Sequence, residues 1–172
     1  MDHCIFIKNE KMKIKNLVLI LVAIFFEYLR DYLFININFY IEFLEKSNNG
    51  LEVFNYTDSI IFNIVENLKI NSLIKIKWGM SLIFVLIFTG LGVLFSKLNF
   101  TNINYKRFLK LYLFSGMGIL ILSFVIFSLG KLLNTENEYN FYFVSLELSH
   151  FIQSLLYPTS FLLVFLSLNK IK

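Results

Sequence analysis

The sequence predicts an all-α integral membrane protein, a four-helix bundle with a short extra helix in the first outer loop, forming a single membrane domain over residues 1–172. Of the 172 residues, 57% are hydrophobic and 16% are charged, against about 25% charged in a typical soluble domain. Four apolar runs approach or exceed the roughly 20 residues that a membrane-spanning helix needs. The single proline and seven glycines argue against a loop-rich or disordered chain.

The first predicted span covers residues 17–41 and follows a basic N-terminal segment. Such a start can indicate a signal peptide, but the apolar run is too long, and no small-residue cleavage site follows it. We therefore expect an uncleaved first span. Glu27, Arg30 and Asp31 interrupt it at spacings of three and four residues, which places them together on one face of a helix.

The first outer loop, roughly residues 42–76, contains the predicted extra helix. Asn-Asn-Gly at 48–50 is typical of a turn, and Asp58 is a suitable N-cap for the helix that follows. The apolar residues at helical spacing are Ile61, Ile64, Val65 and Leu68. This helix could lie in the membrane interface or cover the outer end of the bundle, and we favour the second interpretation.

The second and third predicted spans, residues 78–95 and 111–129, contain no charged residue. Runs this long and uniform are atypical of amphipathic soluble helices, which disfavours an unusually apolar soluble bundle. Gly-Leu-Gly at 90–92 and Gly-Met-Gly at 116–118 predict points of close helix packing.

The fourth predicted span, residues 141–168, is long and carries Glu147, His150 and Pro158. Proline lacks a backbone donor, so we expect a kink at Pro158. Ser154 and Tyr157 continue the polar line of Glu147 and His150 at helical spacing.

The basic residues predict a multi-pass protein of the bacterial inner membrane with both termini in the cytoplasm. Basic residues are enriched on the cytoplasmic side, and that side would hold ten of them with two acids, against five with seven acids outside. The ten are Lys8, Lys11, Lys13, Lys15, Lys97, Lys106, Arg107, Lys110, Lys170 and Lys172.

The sequence shows no Gly-rich phosphate loop, zinc-ligand cluster or nucleophile elbow. Its one cysteine, Cys4, cannot form an internal disulfide. Glu147 and His150 have the Glu-x-x-His spacing of di-iron bundles, but those sites need a second copy and two further glutamates. We therefore expect no metal, no cofactor and no nucleic-acid partner, and the basic residues suit anionic lipid headgroups.

The candidate site residues are Glu27, Arg30, Asp31, Glu147 and His150. An ionised side chain at the centre of a bilayer costs about 2.5 kcal/mol or more, so these groups must pair with each other or face protein or water. We predict that Arg30 is shared between its helix neighbours and Glu147. Three interpretations remain open: an ion-pair network that fixes helix register, a surface that binds another membrane protein, or a catalytic or ion-conducting site.

Three segments carry a resemblance to a known family. They are FFEYLRDYLFININFYIEF (25–43), IKWGMSLIFVLIF (76–88) and FIQSLLYPTSFLLVF (151–165). The chain resembles the small four-span exosortase-system-associated membrane proteins of Bacteroidota. The resemblance implies an accessory role in protein sorting, with the chemistry done by an exosortase as the membrane partner. Exosortases use membrane-embedded Cys, Arg and His, whereas Cys4 lies outside the predicted spans.

These observations favour a non-enzymatic integral membrane accessory or scaffold protein. Two alternatives use the same polar residues. A small transporter or channel subunit would arrange them around a water path, and an intramembrane enzyme would use Glu27, Asp31, Glu147 or His150 in catalysis.

Overall fold

The computed structural model describes residues 10–52, 54–133 and 138–170, and it confirms the all-α prediction. The six helices are α1 (Glu10–Asn48), α2 (Ser59–Val65), α3 (Ile70–Asn99), α4 (Asn102–Leu133), α5 (Glu138–Ile152) and α6 (Leu156–Lys170). They form two compact units. We call residues 24–84 the α2 unit, and the described residues before 24 and after 84 the α4 unit. The assignment of residues 1–172 to one domain stays a prediction.

Two helices, α3 and α4, are long and apolar enough to cross a membrane, each with a mean hydropathy of 2.2 over its best 18 residues. Only 22% of that window in α3 and 11% in α4 is buried inside the chain. Surfaces this apolar and this exposed need lipid or protein around them. The chain is therefore helical with candidate membrane spans, as the composition predicts.

The fourth predicted span is a broken helix. Together, α5 and α6 are long and apolar enough to cross a membrane, but their axes are bent by 72°. The break lies at residues 153–155 and not at Pro158, where we expected it. Pro158 occupies the first turn of α6, where its missing N–H costs nothing, and its ring would clash with the carbonyl of Ser154 if the helix continued. The Ser154 hydroxyl accepts from the Leu156 N–H at 3.2 Å.

Helix α1 contains the first predicted span and extends well beyond it, over 39 residues. It is not among the candidate spans found by length and composition, because Glu27, Arg30 and Asp31 fall in the middle of its apolar run. Two spans, or three with the broken helix, are thus supported. The bundle of four spans stays a prediction.

The α2 unit is built around the short helix α2, and the structure confirms this helix and its cap. The helix ends at Val65, so Leu68, which the sequence places on its apolar face, lies beyond it. The Asp58 carboxylate accepts from the Ile60 N–H at 2.9 Å. Ile61 and Val65 are buried in a cluster with Leu73 of α3 and two residues of α1, Ile37 and Tyr40. The predicted turn is also present, since Gly50 follows α1 with φ of +75°, a conformation that favours glycine.

The α4 unit has an aromatic core between α4 and α6. Phe108 stacks on Tyr112 at 5.2 Å and meets Phe165 edge to face, and Tyr112 stacks on Tyr157 with ring centroids 4.7 Å apart. At the other end, Ser123 of α4 donates to the Ser145 carbonyl of α5 at 2.8 Å. Phe127 of α4 also contacts Tyr142 of α5, so the chain of α5 and α6 runs back along α4 in the opposite direction.

Candidate functional site: polar groups on the apolar helices

Arg30 joins the two neighbouring acids of α1 into one ion cluster. Its Nη2 lies 2.9 Å from Glu27 Oε1 and 2.7 Å from Asp31 Oδ1, and its Nε donates to the same Asp31 oxygen at 3.1 Å. The i, i+3 spacing of Glu27 and Arg30 makes the first contact available on a helix. The second contact depends on the guanidinium fork, which can serve two carboxylates at once.

Exposure differs sharply within this Arg30 cluster. The side chains of Arg30 and Glu27 are 16% and 26% exposed, whereas that of Asp31 is 54% exposed. Arg30 therefore holds one carboxylate that is largely covered and one that faces outward. With two acids and one base the cluster carries a formal charge of −1, and Asp31 presents it on the surface of the chain.

Polar side chains of α1 that follow the Arg30 cluster in the sequence connect the three helices of the α2 unit. Asn36 Oδ1 accepts from the Asp58 N–H at 2.6 Å, which ties α1 to the start of α2. Lys77 of α3 donates to Asn38 Oδ1 at 2.6 Å. The Tyr40 hydroxyl donates to the Glu66 carbonyl at 2.8 Å, at the end of α2. These bonds give polar groups of α1 partners within the protein.

The fourth-span residues do not share one environment. Glu147 and His150 are exposed on α5, whereas Ser154 and Tyr157 are buried. The break at 153–155 redirects the chain, so the predicted continuous polar line does not form. Arg30 and Glu147 lie in different units, and their pairing stays a prediction.

The buried hydroxyls instead form a cluster between α4 and α6. The Tyr157 hydroxyl donates to the Tyr112 carbonyl and lies 3.0 Å from the Ser115 hydroxyl. Gly116 makes room for it, because a Cβ there would lie 2.8 Å from the Tyr157 oxygen. Gly92 plays the same role for Tyr112, at 2.6 Å.

The glycine prediction is therefore confirmed at one position of each pair. A Cβ added at Gly90 or Gly118 would have no described atom within 4 Å. Of these four glycines, Gly92 and Gly116 are the two that pack closely against a neighbouring helix.

A second amide pair was not singled out from the sequence. Asn16 of α1 and Asn99 at the end of α3 exchange two hydrogen bonds, of 2.6 and 2.9 Å. The two residues are 83 positions apart, and no motif links them. Their position at the ends of apolar runs was the only signal in the sequence.

Within the part of the chain that the structure describes, no group of three or more His, Cys, Asp or Glu residues could hold a metal ion. Comparisons with protein-family models, curated proteins and solved structures found no match for this chain. The link to exosortase systems accordingly rests on the sequence resemblance alone.

Proposed function

We propose that this protein is a non-enzymatic accessory or scaffold protein that crosses the membrane four times and binds another integral membrane protein. The observation that carries the proposal is the exposed carboxylate of Asp31 beside Arg30, in the middle of an apolar run. An exosortase is the candidate partner, on the strength of the resemblance.

The depth of Asp31 is what makes its exposure informative. If residues 17–41 cross the bilayer as a helix, Asp31 lies about 21 Å from one end of the run and about 15 Å from the other. Both distances place it near the middle of a hydrocarbon core about 30 Å thick. A charged side chain there costs about 2.5–3.5 kcal/mol or more in lipid. A partner helix that brings a cation or several donors to Asp31 offsets this cost.

Glu147 supports the same proposal from the other end of the chain. It is exposed on α5, within the broken helix that we propose as the fourth span. Two exposed acids on separate predicted spans favour a partner with basic or hydrogen-bonding groups within the membrane.

The four-span topology requires α5 and α6 to act as one crossing. Each helix has 15 residues and measures about 22 Å, too short to cross alone. At a bend of 72°, the start of α5 and the end of α6 are about 36 Å apart. This distance is enough to cross a hydrocarbon core about 30 Å thick.

The contacts with α4 favour this crossing over a loop that re-enters and leaves on one side. Tyr142 contacts Phe127 at one end, and Phe161 contacts Phe108 at the other. These two positions on α4 are about 28 Å apart along the helix. A pair of helices that follows α4 over this distance reaches the opposite face of the membrane whenever α4 does.

Co-expression with an exosortase from the same genome tests the proposal. The tagged protein should retain the exosortase through purification in mild detergent. Asp31→Asn and Glu147→Gln should each reduce the retained exosortase by about tenfold, as expected for the loss of a charge-assisted contact of about 1.4 kcal/mol or more. Glu45→Gln, which removes an exposed acid beyond the predicted first span, is the matched control and should leave retention unchanged.

Two other outcomes would replace the proposal with an alternative class. Ion flux into liposomes from the purified protein, blocked by Asp31→Asn, would indicate a channel or transporter. A turnover that disappears with His150→Ala, while the protein still assembles, would indicate an enzyme.

A further inference from the structure

The outer loop exposes an apolar surface next to the α2 helix. Its large apolar side chains are Leu51, Phe54, Tyr56, Ile60 and Ile64, between 59% and 82% exposed. Single exposed apolar residues are ordinary on any protein, but these five fall within fourteen consecutive positions. We call them the loop apolar surface.

Helix α2 has two apolar faces with different surroundings. Ile61 and Val65 are 6% and 4% exposed and pack against α1 and α3. Ile60 and Ile64, on the next face around the helix, are 66% and 68% exposed. Packing against α1 and α3 accounts for the first face and leaves about two thirds of Ile60 and Ile64 on the second face exposed.

The height of α2 relative to the membrane follows from its contacts on α3. The buried cluster that holds α2 includes Leu73, which precedes Trp78 by five residues, or about 7.5 Å along the helix. The uncharged stretch of α3 begins at Trp78, which is 68% exposed as expected of an aromatic anchor at a membrane interface. A headgroup layer is about 5–8 Å thick on each side, so α2 lies at its level.

The loop apolar surface is also continuous with the exposed apolar surface of α1. Tyr56 contacts Phe39 of the first predicted span, with ring centroids 6.3 Å apart. Phe39 is itself 40% exposed. The polar residue Glu66 is exposed at the end of α2, on the side of the helix away from Ile60 and Ile64.

We propose that the loop apolar surface is embedded in the outer lipid interface, with Ile60 and Ile64 of α2 at the boundary between headgroups and acyl chains. The ligand is the phospholipid bilayer itself. The α2 helix thus has one face on the protein and one in lipid, which fixes the loop beside the first two predicted spans. This inference requires that α3 crosses the membrane, with its first residues on the outer side as the sequence predicts, and it is independent of the partner proposed above.

Tryptophan fluorescence in phosphatidylcholine vesicles tests it. The chain has a single tryptophan, so Trp78→Phe gives a silent background and the unaltered protein gives a reference for the membrane edge. Ile64→Trp and Ile60→Trp then report from the proposed lipid face, each as a check on the other. Glu66→Trp reports from an exposed position roughly 140° away around the helix. Phosphatidylcholine brominated near the top of its acyl chains is the quencher.

The proposal predicts that brominated lipid quenches Ile64→Trp and Ile60→Trp about twofold or more over Glu66→Trp, with iodide showing the reverse order. Equal iodide quenching at all three positions, with none from lipid, would overturn the proposal and place the loop in water. Shielding of Ile64→Trp and Ile60→Trp from both quenchers would also overturn it, because a second copy or another protein would then cover the surface.

Discussion

Gly92→Ala is the substitution whose effect the structure specifies most closely. The new Cβ would lie 2.6 Å from the Tyr112 hydroxyl oxygen, 2.9 Å from its Cζ and 3.2 Å from Cβ of Pro158. Tyr112 has no exposed surface, and its ring is stacked on Tyr157. The side chain therefore cannot swing aside without separating α4 from α6.

The magnitude follows from a comparison with Gly90→Ala in the same helix. Replacing glycine by alanine within a helix stabilises it by about 0.5–1 kcal/mol, and this gain is common to both variants. Gly90→Ala meets no described atom within 4 Å, so only the gain remains. Gly92→Ala adds overpacking, typically about 1–3 kcal/mol. We expect the two variants to differ by about 1–3 kcal/mol, with Gly92→Ala the less stable.

Thermal unfolding in detergent, followed by size-exclusion chromatography with fluorescence detection, measures the difference. At about 2–4 °C per kcal/mol for a chain of this size, the two midpoints should differ by roughly 2–12 °C. Adding Tyr112→Phe to Gly92→Ala removes the oxygen at 2.6 Å and should recover part of the loss. Equal midpoints for Gly92→Ala and Gly90→Ala would refute the packing of α3 against α4.

The remaining predictions concern the second glycine pair, the two polar pairs and the topology. Gly116→Ala should be less stable than Gly118→Ala for the same steric reason, and equal thermal midpoints would contradict the role of Tyr157. A double-mutant cycle with Asn16→Ala and Asn99→Ala should give a coupling of about 0.6–1.7 kcal/mol, the range for hydrogen bonds between membrane helices, and no coupling would exclude the amide pair. Arg30→Leu should lower the amount of folded protein recovered from membranes. The loss of stability should be smaller than the roughly 3–5 kcal/mol for breaking a fully buried pair, because Asp31 is half exposed. Adding Glu147→Leu should restore recovery if Arg30 and Glu147 are partners, and no restoration would show that they are not. Reporter fusions after Lys110 and at the C-terminus should give cytoplasmic signals and one after Glu138 an external signal, whereas an external signal after Lys110 would reverse the orientation.

Local chemistry made part of this fold predictable. The Asp58 cap and the turn at Gly50 depend on neighbouring residues, and both are where the sequence places them. The uncharged stretches of α3 and α4 follow directly from composition. In each case the structure requires only contacts within a few residues or a property summed over one helix.

Contacts between distant segments of the chain were harder to predict from the sequence. Pro158 signals a break, but its position depends on which residues begin α6, and the break precedes the proline by three to five residues. The sequence marks four glycines as small, and only the ring positions of Tyr112 and Tyr157 distinguish the two that are packed. Several asparagine side chains form hydrogen bonds to residues distant in the sequence, namely Asn36, Asn38 and the Asn16–Asn99 pair. No periodic pattern in the sequence identifies the partner of an asparagine.

In the candidate site, too, the local contact was predictable and the position relative to the rest of the chain was not. The contact between Glu27 and Arg30 follows from their spacing on one helix. The outward position of Asp31 does not, because it depends on how α1 is covered by the rest of the chain. That outward position is what moves the interpretation of the Arg30 cluster from an internal ion pair toward a contact with another protein.

Photo-crosslinking within the membrane tests the central claim, that the Arg30 cluster faces another membrane protein. A photoreactive phenylalanine analogue replaces Tyr28, which is 72% exposed and one turn from Asp31. In a second protein it replaces Phe124, which is 69% exposed on the apolar face of α4. We predict a protein adduct of one defined mass from position 28, lost with Asp31→Asn, and lipid adducts alone from position 124. Lipid adducts alone from position 28 would contradict the claim.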